Sequence, residues 1–223
     1  MLAHPSILGG LVDLLAPLRC PGCDLPLPPP EPEAPDATPD TRTAFCPACG
    51  PLLEPTPEWL QPPARASAAR LYQGPLADAI RRFKYGGAGW IARPLGALLA
   101  DSARPFSGEV DAVVPLALHP SKLRTRGYNP AALLAGPVAR ALGVPLRVHW
   151  LRRLRATRSQ AGLARDLRLE NVRGAFAAAP VPGHKLLLID DVRTTGATLA
   201  EAAATLTRAG HDVATLALAW AES

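Results

Sequence analysis

The segment that most restricts the possible folds is Leu186 to Leu199, LLLIDDVRTTGATL. Four apolar residues run into two adjacent aspartates and then into a loop of Thr, Thr, Gly, Ala and Thr. A short apolar run without alternation is the pattern of a strand buried on both faces, and such strands belong to parallel sheets. Parallel neighbours must be joined by crossovers, most often helices. The surrounding sequence supplies them. Val110 to Pro115 reads as a strand, Pro130 to Leu142 as a helix closed by Gly143, VPLRVHW as a strand, Gly196 to Arg208 as a helix ended near Gly210, and DVATLALAW as a last strand. The expected class is α/β, a parallel sheet with helices on both faces.

Upstream of this alternation, Ala64 to Leu99 has a helical pattern. In GPLADAIRRFKYGG, Leu76, Ile80 and Phe83 recur at helix spacing, Pro75 suits the first turn and Gly86-Gly87 stops it. Arg81, Arg82 and Lys84 are assigned to the other face, a solvated basic surface that can also meet an anion or a DNA backbone. Residues 1 to 62 form a separate region. They hold all four cysteines and the Pro-rich acidic stretch LPLPPPEPEAPDATPD, which reads as a loop or linker. Gly10 to Leu18 is a short amphipathic helix candidate that packs on its own domain. The expected division is therefore 1–62 and 63–223.

Cys20-Pro-Gly-Cys23 and Cys46-Pro-Ala-Cys49 are two pairs with two-residue gaps. Each gap lets two thiolates reach one ion from a tight turn, and two such turns complete a tetrahedron. Two disulfides would require an oxidising compartment, and one redox-active pair would leave the other unexplained. A closed structural zinc ribbon is favoured, in which the metal replaces a core that a proline-rich segment cannot supply.

In an open parallel sheet, ligands bind beyond the carboxyl ends of the strands. Asp190 and Asp191 stand at such an end. One aspartate there is commonly a cap or turn residue, but two followed by Thr194, Thr195, Gly196, Ala197 and Thr198 ask for more. Gly196 permits a tight turn, and the amides from Thr195 to Thr198 open a helix whose dipole favours a phosphate. A ribose 5-phosphate spans both halves, with its phosphate on the loop amides and its hydroxyls on the carboxylates. Neither GxxxxGK[ST] nor GxGxxG is present, so this is neither a P-loop nor a dinucleotide fingerprint. After Pro115, Lys122, Arg124 and Arg126 occupy a loop at the same expected sheet edge, placed for a pyrophosphate or a nucleic acid backbone. His119 lies beside them, where a polar loop histidine is the commoner explanation.

The charge balance is compatible with these anions without selecting one. Lys plus Arg number 24 against 19 Asp plus Glu, and lysine occurs only at 84, 122 and 185. The arginine bias favours bidentate anion recognition. With four Trp, three Tyr and four Phe, an aromatic-driven nucleic acid surface is not expected. No apolar run approaches the roughly 20 residues of a membrane helix, and the N-terminus lacks a secretion-signal pattern, so a cytoplasmic, non-membrane protein is expected.

DDVRTTGAT resembles the ribose-phosphate signature of type I phosphoribosyltransferases. The paired cysteines, YQGPLADAIRRFKYGG, VVPLALHPSKLRTRGYNPAALLA and TRSQAGLARDLRLENVRGAF, together with that segment, resemble in order the ComF (competence protein F) family. The resemblance covers nearly the whole chain. It implies a phosphoribosyltransferase-like domain behind an N-terminal zinc ribbon, with phosphoribosyl pyrophosphate and Mg as ligands. Asp190 and Asp191 would hold the ribose, Thr194 to Thr198 the 5-phosphate, and Lys122, Arg124 and Arg126 the leaving pyrophosphate. Arg158 and Gln160 would belong to a flexible loop. Pro130 stands where the family often has Gln, and relatives often carry a third cysteine pair, so one zinc is expected here. The family implies DNA uptake and natural transformation, with single-stranded DNA and a competence helicase as partners. Three functions remain open: a ribosyl-phosphate binder acting on DNA, an active transferase of unknown acceptor, and a zinc-ribbon adaptor.

Overall fold

The structure, a computed structural model, describes residues 18–27, 45–156, 172–181 and 183–222. Gly10 to Pro17, most of the Pro-rich stretch, and Arg158 and Gln160 lie outside the described residues. Four strands form a parallel sheet: β1 (Ala66–Leu71), β2 (Ala112–Pro115), β5 (Lys185–Arg193) and β6 (Asp212–Trp220), in the order β1-β6-β5-β2. A separate antiparallel ribbon pairs β3 (Leu151–Arg153) with β4 (Phe176–Ala178). The helices are α1 (Gly74–Tyr85), α2 (Ala92–Ala103), α3 (Pro120–Arg126), α4 (Pro130–Leu142) and α5 (Ala197–Arg208).

Strand period divides the core. Leu187 and Ile189 of β5 face a cluster with Val113 of β2, Leu76, Ile80 and Phe83 of α1, Leu95 and Leu99 of α2, and Leu134 and Val138 of α4. Leu186 and Leu188 face the opposite side, with Val114, Leu199, Ala202 and Leu206 of α5, and Leu151 and Phe176 of the ribbon. Helices therefore cover both faces, as expected. The two aspartates continue these rows, so Asp191 is directed to the α1 side and Asp190 to the ribbon side.

Three local expectations need correction. Ala66–Leu71, expected within a helical stretch from Ala64 to Leu99, is an edge strand parallel to β6. Ala68 is fully buried against Leu60 and Ala217, and the Ser67 hydroxyl donates to the Thr215 carbonyl at 3.0 Å, so tertiary pairing overrides helix propensity. VPLRVHW is not a strand. Leu146 makes one isolated parallel bridge to Val113, and Pro145, lacking an N–H, cannot extend a ladder; the strand comes afterwards, at Leu151. The segment holding Lys122, Arg124 and Arg126 is the short helix α3, not a loop. It is capped by His119, whose Nδ1 accepts from the Ser121 amide at 3.2 Å, and closed by Gly127 at φ 84°.

Candidate functional site

The carboxyl edge of the sheet brings the acidic and basic segments together. Pro115 pairs in register with Ile189, and the Leu116 amide bonds the Ile189 carbonyl at 2.8 Å, so α3 emerges beside the residues that follow Ile189. These are Asp190 and Asp191. Asn129 fixes the far end of α3: its side-chain amide donates to the Leu116 carbonyl at 3.0 Å while its oxygen caps α4 by accepting from the Ala131 amide at 3.2 Å. Tyr128 stacks on Phe83, with ring centroids 5.5 Å apart, and donates its hydroxyl to the Phe83 carbonyl. These contacts tie the basic helix to α1.

Of the acidic pair, Asp191 is buried and Asp190 half-buried. Lys84 of α1 places Nζ 2.8 Å from a carboxylate oxygen of Asp191, with side chains only 19% and 10% exposed. Burial works against the ammonium, but the Asp191 charge, its hydrogen bond and Asp190 outweigh burial and lift the Lys84 pKa above its ordinary value. Burial first, and then the neighbouring Asp191 charge, raise the Asp190 carboxyl well above the usual carboxylate range, against the opposing pull of Lys84. Asp190 also accepts from the Asp191 amide at 2.8 Å, which fixes its orientation.

Lys84 also belongs to a group of cations. Burial and then the charges of Arg153, Arg126 and Lys84 lower the Lys122 pKa, so three positive groups act on this one ammonium. Lys122 and Arg126 are one helical turn apart on α3, whereas Arg124, exposed, is about 200° around the helix from Lys122. Lys122 and Arg126 therefore share a side of α3 and are linked to the aspartates through Lys84 and Arg153, whereas Arg124 projects from another side of the helix. Arg153, on β3, is electrostatically coupled to Asp190 and lies over the Phe176 ring at 5.2 Å.

The threonine loop follows β5 directly. Gly196 is the N-cap of α5 at φ 78°, and a Cβ there would come within 3.1 Å of the Arg193 guanidinium, so both conformation and space call for glycine. Thr194 is exposed, and Thr195 and Thr198 are half-buried at the open end of α5. First-turn helix amides have no preceding helical carbonyl, which suits them to an anion. A cavity of about 210 Å³ lies behind this loop, lined by Arg65, Arg193, Gly196 and Thr207 among others. The two aspartates do not line it.

Two members of this constellation, Lys84 and Arg153, escaped the sequence reading, and the solvated basic face expected on α1 is not there. Lys84 continues the row Leu76, Ile80, so its spacing already placed it on the buried side. Arg82 turns to the cysteine region: it donates to the carbonyls of Pro21 and, at 2.8 Å, Gly22, and pairs with Asp24 at 3.0 Å. Arg81 alone of the three is an exposed surface cation, paired with Asp78 at 3.1 Å.

The four cysteine sulfurs lie within 4.8 Å of one another, with Cys23 and Cys46 Sγ 3.6 Å apart and no disulfide among them. A tetrahedral site with metal–sulfur bonds of about 2.3 Å requires sulfurs about 3.8 Å apart, so the cluster can coordinate a metal with little adjustment. The Cys46 amide donates to Cys20 Sγ at 3.3 Å. Hydrogen bonding, first from the Cys49 amide, lowers the Cys46 thiol to about 7, while burial and the neighbouring sulfurs raise Cys49. This set of sulfur donors, one already inclined to the thiolate, fits a thiophilic ion. Gly22 is required by close approach, because a Cβ there would meet Pro75 at 2.7 Å and Cys49 Sγ at 3.0 Å. The cysteine knuckle is thereby seated on the first turn of α1.

Fold and site together define a class: a parallel α/β domain with an acid-and-cation site at its carboxyl edge, carrying a cysteine cluster capable of binding metal. No family model matches the chain. The chain is 33% identical over 171 residues to competence protein F of Haemophilus influenzae, covering 73% of each protein. It is 34% identical over 183 residues to the DNA utilization protein YhgH of Salmonella typhi, covering 76% of this chain and 80% of that protein. This chain belongs to the competence protein F/YhgH family. Among solved structures, it is similar to glutamine phosphoribosylpyrophosphate amidotransferase of B. subtilis, complexed with ADP and GMP, at 23% identity and a TM-score of 0.38, covering 56% of this chain and 25% of the other. Among the described residues, no helix is long and apolar enough to cross a membrane.

Proposed function

We propose that this chain is a phosphoribosyltransferase-like protein that binds a ribosyl phosphate, such as phosphoribosyl pyrophosphate or a nucleotide, and acts on single-stranded DNA in uptake. The observation that carries the reading is the charge arrangement at the sheet edge: Asp191 paired with Lys84, Asp190 acted on by Arg153, and Lys122 and Arg126 beside those two cations. Carboxylates accept hydrogen bonds from sugar hydroxyls, while clustered cations bind polyphosphate; a ribose bearing phosphates at both ends satisfies both halves. The amides at the start of α5 take the 5-phosphate. Lys122, its pKa lowered first by burial and then by neighbouring positive charge, would be stabilised as an ammonium by an arriving anion. Mg bound to the pyrophosphate would add positive charge beside the two aspartates. The role in DNA uptake is supported by the names of the relatives, which refer to competence and DNA utilization. The four thiolates hold one structural zinc, leaving no open coordination position for chemistry.

The test is competition. Phosphoribosyl pyrophosphate with Mg is added to full-length protein bound to a labelled single-stranded oligonucleotide, alongside a Lys122→Ala/Arg126→Ala variant. Displacement that disappears in the variant supports one shared site. Oligonucleotide binding unaffected by the sugar phosphate rejects a shared site, and no direct binding of the sugar phosphate to the wild type rejects the ribosyl-phosphate reading. Mg-dependent release of pyrophosphate on adding candidate acceptors would identify turnover.

A further inference from the structure

Tyr85, the last residue of α1, follows the half-buried Lys84 directly and is itself 78% exposed. The Arg126 guanidinium lies over its ring at 5.2 Å from the centroid. Lys122 is one turn before Arg126 on the same helix, and it is influenced by Arg126, Arg153 and Lys84. One open aromatic ring therefore stands at the mouth of the acid-and-cation site, beside the groups that would hold phosphates. The chain's few aromatic residues argued against a stacking surface, but a single ring suffices when it is placed where a base must emerge.

We propose that Tyr85 and Arg126 form a stacking platform for a nucleobase whose sugar phosphate lies at Asp190, Asp191 and the neighbouring cations. This rests on the ribosyl-phosphate function proposed above and adds the chemical class of the attached group. Base–aromatic stacking is tolerant of base identity, because every base presents a π-face, and a guanidinium adds cation–π attraction. Arg126 can stay against the ring or turn to a phosphate, since both interactions lie within reach of one flexible side chain. The base comes either from a free nucleotide or from a single strand.

Full-length wild-type, Tyr85→Ala and Tyr85→Trp proteins are compared for binding of four probes: a labelled oligothymidylate, an abasic oligonucleotide of equal length, a nucleoside monophosphate and ribose 5-phosphate. Tyr85 is exposed, so neither substitution disturbs the core. Tyr85→Ala should weaken at least one base-bearing probe by roughly 5- to 100-fold, leave the abasic strand and ribose 5-phosphate within about twofold, and be rescued by Trp. Loss confined to the oligothymidylate identifies a strand as the source, and loss that includes the monophosphate identifies a free nucleotide. Equal loss for base-bearing and abasic probes, or no loss, overturns the platform. If wild-type protein ignores ribose 5-phosphate, the ribosyl-phosphate function fails separately, and the contrast between thymidylate and abasic strands still reads Tyr85.

Discussion

Replacing Lys84 with Met removes the ammonium that sits 2.8 Å from Asp191 and leaves two adjacent carboxylates, one of them 10% exposed, without their internal cation. Removing one partner of a buried pair costs about 3–5 kcal/mol, and the residual exposure of this pair lowers the expectation to about 2–4 kcal/mol. For a chain of this size that corresponds to a fall in Tm of roughly 5–15 °C. Urea denaturation at neutral pH measures the loss, and Lys84→Met/Asp191→Asn provides the control. With both charges gone, stability should return to within about 1 kcal/mol of the wild type. The pH dependence follows from the direction of each shift. The Lys84 pKa is raised in the folded state, so its contribution is complete below the unfolded value of 10.5 and is lost as pH rises through the folded value. The methionine variant lacks this alkaline loss. Asp190 is an acid with a raised pKa, so its ionisation lowers stability as pH climbs from the unfolded value of 3.8 through the folded one. Lys84 opposes that rise, and its removal extends the loss to higher pH. A Lys84→Met protein within about 0.5 kcal/mol of wild type, or a double variant less stable than the single one, would refute a structural ion pair.

Metal analysis of protein purified without added metal should find one zinc per chain, and a strong chelator should lower the Tm; a metal-free protein of unchanged Tm would remove the ribbon. Arg82→Ala, which loses its bonds to Gly22 and Pro21 and its pair with Asp24, should cost about 1–3 kcal/mol and speed zinc loss to a chelator while α-helical circular dichroism persists. Gly196→Val should weaken ribose 5-phosphate binding by at least tenfold, because it strains the positive-φ cap and crowds Arg193, and equilibrium dialysis reads the change.

Local pattern made the centre of the fold readable. LLLIDD and DVATLALAW are strands because their apolar runs are short and continuous, and the Gly143 stop of α4 was marked by residue type. The edge strand Ala66–Leu71 was hidden because alanine favours helix and only the pairing with β6 makes it extended. The acidic strand end was legible for the same reason as the strand itself. Its cationic half was only partly so. Lys122 and Arg126 were in view, but their helical spacing from Arg124 required α3 to be recognised. Lys84 was legible in principle, four residues after Ile80 on an apolar row, and was misassigned because charge was given more weight than periodicity. Arg153 had no local signal, since it reaches the site only through the ribbon of β3 with β4. Arg82 likewise shows its purpose only once the cysteine knuckle is seated on α1.

The most direct measurement is calorimetric titration of phosphoribosyl pyrophosphate with Mg into full-length wild-type protein and into Asp190→Asn/Asp191→Asn. Saturable one-to-one binding by the wild type, weakened at least tenfold by neutralising the two carboxylates in a protein that remains folded, is the expected result. Absence of binding by the wild type, or equal affinity in the variant, would contradict a ribosyl-phosphate site at this sheet edge.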